Sequence, residues 1–98
     1  MSETAAVRNN AEASRYELEV DGALCIAAYE ERVGAVVFTH TEVPSALEGR
    51  GLGKALIKGA LADVRSRGLK VIAVCEFVAG YLDRYPEEQD LLATDAPG

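Results

Sequence analysis

The chain predicts an α/β (α+β) fold: a mixed, mainly antiparallel sheet with one βαβ parallel pair and helices packed on it. Three observations carry this expectation. Alternating apolar residues on either side of Asp21-Gly22 give paired strands. A four-residue apolar period from Leu52 to Val64 gives one amphipathic helix. A short apolar run, Val71–Cys75, follows that helix closely enough to return to the same sheet.

Residues Met1–Ser14 are polar, alanine-rich and aperiodic, and read as an N-terminal tail. From Arg15 to Val20, Tyr16, Leu18 and Val20 alternate with Arg15, Glu17 and Glu19, the pattern of a half-buried strand. Asp21-Gly22 is a strong hairpin signal because both residues tolerate positive φ. Ala23–Tyr29 is a second strand, apolar on both faces, and Glu30–Arg32 reads as the next turn. Val33–Val43 is a third strand. Strict alternation puts Val33, Ala35, Val37 and Thr39 on one face and Val36, Phe38 and His40 on the other. Pro44 ends it.

Leu52, Leu56, Ala60 and Val64, with Ile57 and Leu61, make the stripe of a helix of about four turns. Gly68 fits just beyond its end, and Arg65 and Arg67 suit its negative pole. Val71–Cys75 is a buried strand parallel to the third, Phe77–Arg84 a short helix, and Pro86-Glu87-Glu88 a last helical turn. Thr94–Gly98 reads as a C-terminal tail, leaving residues 15–93 as one domain. The two parallel strands end at one edge, where ligands sit in such sheets. His40 and Cys75 fall at those ends.

Length and composition narrow the function. A chain of 98 residues with 49% hydrophobic and 27% charged residues is one globular domain. No apolar run is long enough to span a bilayer, and no basic segment leads into an apolar one. The expected location is therefore the cytoplasm, with both thiols reduced. Cys25 and Cys75 stand alone, without the clustered Cys/His spacing of a metal site, so no metal is expected. A net charge of −6 disfavours a general nucleic-acid binder. Between positions 50 and 70, however, Arg50, Lys54, Lys58, Arg65, Arg67 and Lys70 face only Asp63. One basic segment in an acidic chain suggests a local anionic ligand; the competing reading is a solvated basic helix face.

The segment Glu48-Gly49-Arg50-Gly51-Leu52-Gly53-Lys54 lies between the third strand and the helix. Glycines there let the backbone approach a ligand, and the unpaired N–H groups of the first helical turn face outward. A pyrophosphate would fit, with Arg50 and Lys54 as added charge. Neither the P-loop spacing nor the GxGxxG spacing is present.

Glu48-Gly49-Arg50-Gly51-Leu52-Gly53 resembles motif A of the GNAT superfamily of acyl-CoA-dependent N-acyltransferases. With His40-Thr41-Glu42-Val43-Pro44, Cys75, Tyr81 and Tyr85-Pro86-Glu87, the chain is similar to a small single-domain branch of that superfamily. The resemblance implies acetyl-CoA (or CoA) as ligand. It implies that the backbone around Gly49, Arg50, Gly51, Leu52, Gly53 and Lys54 holds the pyrophosphate, with Glu48 in place of the usual Gln or Arg. It further implies that Thr41 and Val43 line the pantetheine arm. The helices that normally wall the acceptor site have no room in this chain.

Four residues are candidates for chemistry. Cys75 could take the acyl group as a thiolate, or be a buried small hydrophobe. His40, the sole histidine, could act as base, or be a strand-end residue bonded to backbone. Glu42, on the same face, is a second base. Tyr81 lies where the resemblance implies a tyrosine that protonates the departing CoA thiolate; otherwise it caps the core. Cys25, in mid-strand, reads as core. The reading is an N-acetyltransferase of unknown amine acceptor, with a CoA-binding or sensing module without turnover as the alternative, and a plain interaction domain as a third. A partner chain, including a second copy of this one, could supply the missing acceptor wall, and Ala23–Tyr29 is apolar enough to need cover.

Overall fold

The structure, a computed structural model, describes residues 7–93; positions 1–6 and the expected C-terminal tail at 94–98 lie outside the described residues. Its elements are β1 (Arg8–Asn10), β2 (Arg15–Val20), β3 (Ala23–Arg32), β4 (Ala35–Glu42), α1 (Leu52–Ser66), β5 (Lys70–Ala73) and α2 (Glu76–Arg84), with 3₁₀ turns at Ser45–Leu47 and Pro86–Leu91. The five strands form one sheet in sequence order. The first four pair antiparallel, and β4 pairs β5 in parallel. The fold class read from sequence is the one found.

Within this frame the hairpin signal holds. Asp21 and Gly22 both have positive φ, 53° and 78°, which matches the right-handed twist of β2 and β3. The next turn falls later than expected. Glu30–Arg32 continue β3, and the chain reverses at Val33-Gly34, with Gly34 at φ 76°. Three charged residues look like a turn, but on strand ends that need only backbone pairing they remain in the ladder with Ala35–Val37.

One face of the sheet carries the core. Tyr16 and Leu18 of β2, Cys25, Ala27 and Tyr29 of β3, and Val36 and Phe38 of β4 meet the buried stripe of α1: Leu56, Ile57, Ala60, Leu61 and Val64. Tyr16, Tyr29 and Phe38 form an aromatic cluster with ring centroids 5.3–6.3 Å apart. The Tyr16 hydroxyl donates to Asp63 Oδ2 of α1 at 2.6 Å, and burial, then that carboxylate, pushes the phenol well above its usual range. Each fully buried Leu or Ile in the stripe contributes roughly 1.5–3 kcal/mol, so Leu61→Ala would leave a cavity costing about 2–5 kcal/mol. Gly68, at φ 71°, lies just past the C-cap of α1. The 3₁₀ turn at Pro86–Leu91 is fastened to α1 by Arg65, which donates to Asp90 and Glu88.

Part of the expected N-terminal tail belongs to the sheet. Arg8–Asn10 pair with Arg15–Glu17 as an edge strand. Three residues are too few to show a period, so polar side chains define this strand. Arg8 and Asn10 donate to Glu17, whose side chain is only 5% exposed, and Tyr29 Oη donates to Asn9 at 2.6 Å. Val7 packs against the bare Cα of Gly59 in α1.

Among the described residues, the other face of the sheet has no helix on it. Leu24 and Ile72 are exposed there, and Ile26 and Ala28 are half-buried. The cover that Ala23–Tyr29 calls for is thus supplied on its core side alone.

Candidate functional site

A β-bulge decides which side chains meet. Tyr29 pairs Phe38, but Ala28 pairs His40, so Thr39 is the extra residue. Downstream of it, strict alternation is reversed. His40 and Glu42 lie opposite Ala28 and Ile26 on the helix-free face, and Thr41 lies opposite Ala27 on the core face. The expectation that His40 shares a face with Val36 and Phe38 is therefore corrected. A one-residue register change carries no mark in a Phe-Thr-His-Thr sequence.

The parallel ladder ends where the bulge begins. β4 and β5 pair from Ala35↔Lys70 to Phe38↔Ala73, and then the Val74 and Cys75 amides both donate to the Phe38 carbonyl. Beyond that point β4 runs on to Glu42 without β5 beside it. A slot opens, with one edge of residues 40–43 available to an extended ligand. A broad cleft of about 470 Å³ at this end is lined by Thr41, Glu42, Val43, Pro44, Glu48 and Phe77.

Cys75 lies two residues beyond β5, not at its end as expected, and caps the N-terminus of α2. Its side chain is 9% exposed and its Sγ is 3.3 Å from Thr41 Oγ1. Cys25 is fully buried, and burial pushes its thiol pKa up. His40 Nε2 is 2.9 Å from Glu42 Oε2, both exposed. The structure thus brings Cys75 to Thr41 and His40 to Glu42, at one end of the sheet but on opposite faces. Tyr81 is buried against Tyr85, centroids 4.5 Å apart, and burial, then the Glu88, Tyr85 and Glu87 charges, raise its pKa. It stays protonated through neutral pH and so can donate a proton.

The three glycines of the loop do different work. Gly49 and Gly51 have φ of 83° and 72°, and a Cβ on either would meet no atom of the described residues within 4 Å. Gly51 is the N-cap of α1. The first helical bond runs from the Ala55 N–H to the Gly51 carbonyl, which leaves the Leu52, Gly53 and Lys54 amides ahead of it. Gly53 has an ordinary φ; a Cβ there would come within 2.6 Å of Phe77 Cζ. Its bareness seats the Phe77 ring. Arg50 donates to Asp21 Oδ2 at 2.9 Å, which ties the loop to the β2–β3 turn, and Leu52 packs on the core. Lys54 Nζ lies 5.6 Å from the centroid of the Tyr85 ring.

Sequence reasoning did not single out Phe77, Gly80 and Arg84 for the site. Their spacing along one face of α2, with Tyr81, was the available signal.

Comparisons with known proteins agree with this geometry. A family model described as GCN5-related N-acetyl-transferase matches residues 15–91. Protein NATD1 of Gallus gallus and of Mus musculus are each 42% identical to this chain over 52 residues, 53% of the chain and 47% of the relative. The chain thus spans about half the length of the curated relatives it matches. The solution structure of a GCN5-like candidate N-acetyltransferase from Staphylococcus aureus superposes with a TM-score of 0.71 at 26% identity, covering 91% of this chain and 88% of the other. No helix among the described residues is long and apolar enough to cross a membrane.

Proposed function

The chain belongs to the GCN5-related N-acetyl-transferase family, and from that premise we propose that it binds acetyl-CoA and transfers the acetyl group to an amine. One observation carries the reading: the uncovered first-turn amides of α1, opened by left-handed Gly51, stand beside a slot between two parallel strands with a cysteine at its mouth. The residues fit the ligand. Gly49 and Gly51 put no side chain into the open space beside the loop, and backbone N–H groups at a positive helix pole suit a pyrophosphate. The free edge at Thr41–Val43 suits an amide-bearing arm.

Acetyl-CoA supplies an activated thioester. Cys75 is the acyl-accepting thiol in this reading, with Thr41 Oγ1 holding Sγ in place. With its proton lost to solvent, the Cys75 sulfur would bond to the acetyl carbonyl carbon, the bond from that carbon to the CoA sulfur would break, and Tyr81 would protonate the departing CoA thiolate. The acceptor amine then displaces Cys75. It approaches from the helix-free face, where His40, oriented by Glu42, takes its proton. Glu48 remains in the cleft wall without a catalytic role.

A second reading is a CoA-binding or sensing module without turnover. It is favoured by the helix-free sheet face, which offers an acceptor no wall among the described residues. Thermal-shift titration with acetyl-CoA and CoA, followed by an amine panel with a thiol-release assay, separates the two. Ligand at about 100 times Kd should add roughly 2.7 kcal/mol. Binding with thiol release supports transfer, binding without it supports sensing, and no shift with either ligand removes both readings.

A further inference from the structure

In the reading above the acceptor amine approaches the helix-free face of the sheet, and the side chains on that face describe the amine. Cross-strand register sets Ile26 opposite Glu42, Ala28 opposite His40 and Val37 opposite Ile72. His40 and Glu42 therefore stand in an apolar stripe that runs from Leu24 and Ile26 on β3, past Ala28 and Val37, to Ile72 on β5. Ala28 presents only a methyl group beside the imidazole. Leu24 and Ile72 are 37% and 39% exposed. Val74, whose amide donates to the Phe38 carbonyl where the slot opens, is 64% exposed. Apolar surface left in water beside a reacting group gains from an apolar partner.

Charges lie around this stripe, not along it. The Glu17 carboxylate, opposite Ile26, takes hydrogen bonds from Arg8, Asn10 and Arg15 and is only 5% exposed. Glu30, opposite Val37, pairs with Arg32 at 3.3 Å. Glu19 lies opposite Leu24, at the end of the stripe away from β5. Past Ile72, the next side chain on the same face of β5 is Lys70, a cation. Glu42 is the carboxylate at the imidazole, 2.9 Å from it. One ammonium is thus matched at His40 and Glu42. A second, carried along the stripe toward Ile72, would meet apolar side chains and then Lys70.

We propose that the acceptor is a small primary amine on an apolar body with no second charge, its nitrogen at His40 beside Glu42 and its body on Ile72 and Val74. The inference rests on the reading that the chain transfers acetyl groups, and it names the substrate class. The alkylammonium gives one proton to solvent. The nitrogen of the free amine then bonds to the acetyl carbon, the bond from that carbon to sulfur breaks, His40 takes the second proton and the sulfur leaves as a thiolate. Val37 and His40 are three residues apart on β4, which limits the body to roughly 10 Å along the strand.

Thiol release from acetyl-CoA tests it, with ethylamine, hexylamine, the terminal diamine of the same length as hexylamine and a lysine-containing peptide as acceptors. Thermal-shift titration checks acetyl-CoA binding by each protein. For the parent, kcat/KM should be at least about tenfold higher for hexylamine than for ethylamine and about tenfold higher than for the diamine. Ile72→Thr/Val74→Thr keeps β-branched strand residues and should bring hexylamine down to the level of ethylamine. Val74→Glu should reverse the order of hexylamine and diamine, a gain that misfolding cannot produce. Val33→Ser, which removes exposed apolar surface on the far β3–β4 turn, should leave the order unchanged. A diamine or lysine peptide preferred over hexylamine, equal use of hexylamine and ethylamine, or a hexylamine preference that survives in the double variant overturns the substrate class and leaves acetyl transfer standing. A parent that elutes as a dimer and is split by Val74→Glu gives the face to a second copy and overturns it as well. Acetyl-CoA binding without thiol release to any acceptor overturns transfer along with it.

Discussion

Replacing Gly51 by valine should separate the ligand cradle from the fold. Gly51 sits at φ 72° and ψ 19°, in the left-handed region. An L-residue there costs roughly 1–2 kcal/mol, and a β-branched one lies at the upper end. The strain is local, since a Cβ at this position meets no atom of the described residues within 4 Å. Against a stability of about 5–15 kcal/mol the variant stays folded. Its Tm should fall by about 5–15 °C for a domain of this size. In the cradle reading the ligand lies against the Gly51 backbone ahead of the Leu52, Gly53 and Lys54 amides, so a valine side chain there would compete with it. CoA affinity should drop at least about 100-fold, equivalent to some 2.7 kcal/mol. Far-UV circular dichroism reports the fold, and calorimetric titration reports the affinity. A folded Gly51→Val protein with a Kd within about threefold of the parent would refute the cradle. Gly53→Ala is the internal contrast. Its methyl displaces the far end of the Phe77 ring instead of meeting strained backbone, so any loss of affinity there tracks Phe77.

Three further outcomes are expected. Incubation with acetyl-CoA followed by peptide mass spectrometry should place an acetyl group on Cys75, absent in Cys75→Ser, and CoA should shield Cys75 from alkylation while buried Cys25 stays unlabelled throughout; labelling of both thiols regardless of CoA would contradict the placement. Tyr81→Phe retains the ring packing and removes the proton, so kcat should fall by about 10²-fold or more with Tm nearly unchanged; a pH–rate profile that keeps its alkaline limb in the variant would exclude Tyr81 as the acid. Glu17 is held below the usual carboxylate range by the Asn10 amide and the Arg15 guanidinium. Because its folded pKa is depressed, its contribution is fully present above the unfolded pKa of about 4.3 and is lost as pH falls through the folded value; Glu17→Gln should flatten the acid limb of a Tm-against-pH curve, and an unchanged slope would show that the cluster is neutral to folding.

Legibility tracked how far each feature depended on local pattern. The β2–β3 hairpin and α1 could be read because alternation and a four-residue period are properties of consecutive residues, and Gly51 and Gly68 stand at the boundaries where left-handed backbone is needed. The loop's place between a strand and α1 was legible for the same reason. Features set by distant partners were not. β1 exists because Glu17 and Tyr29 need partners, and neither need is visible from residues 8–10. The bulge is imposed by the pairing of β4 with β3. Placing Cys75 at the end of β5 missed that the ladder stops at Ala73, so Cys75 occupies the N-cap position of α2 and its thiol meets Thr41 instead of a helix amide. That His40 and Glu42, two apart on one strand, share a face was legible; the side of the sheet they occupy was not.

Thr39 is a spare residue in the ladder. Deleting it would make β4 one residue shorter and restore unbroken alternation from Phe38 through His40 to Glu42, with every side chain still on the face it now occupies. Facing alone, then, does not require the insertion. The bend does: a straight β4 would run beside the extension of β5, Val74 and Cys75 would be drawn into the ladder, and the slot would zip shut. This segment is therefore constrained in length more strictly than in composition. Relatives that vary the residues between Phe38 and Pro44 should be tolerated where those that change their number are not, and a deletion series, read by ligand binding, measures a ruler that no point substitution can reach.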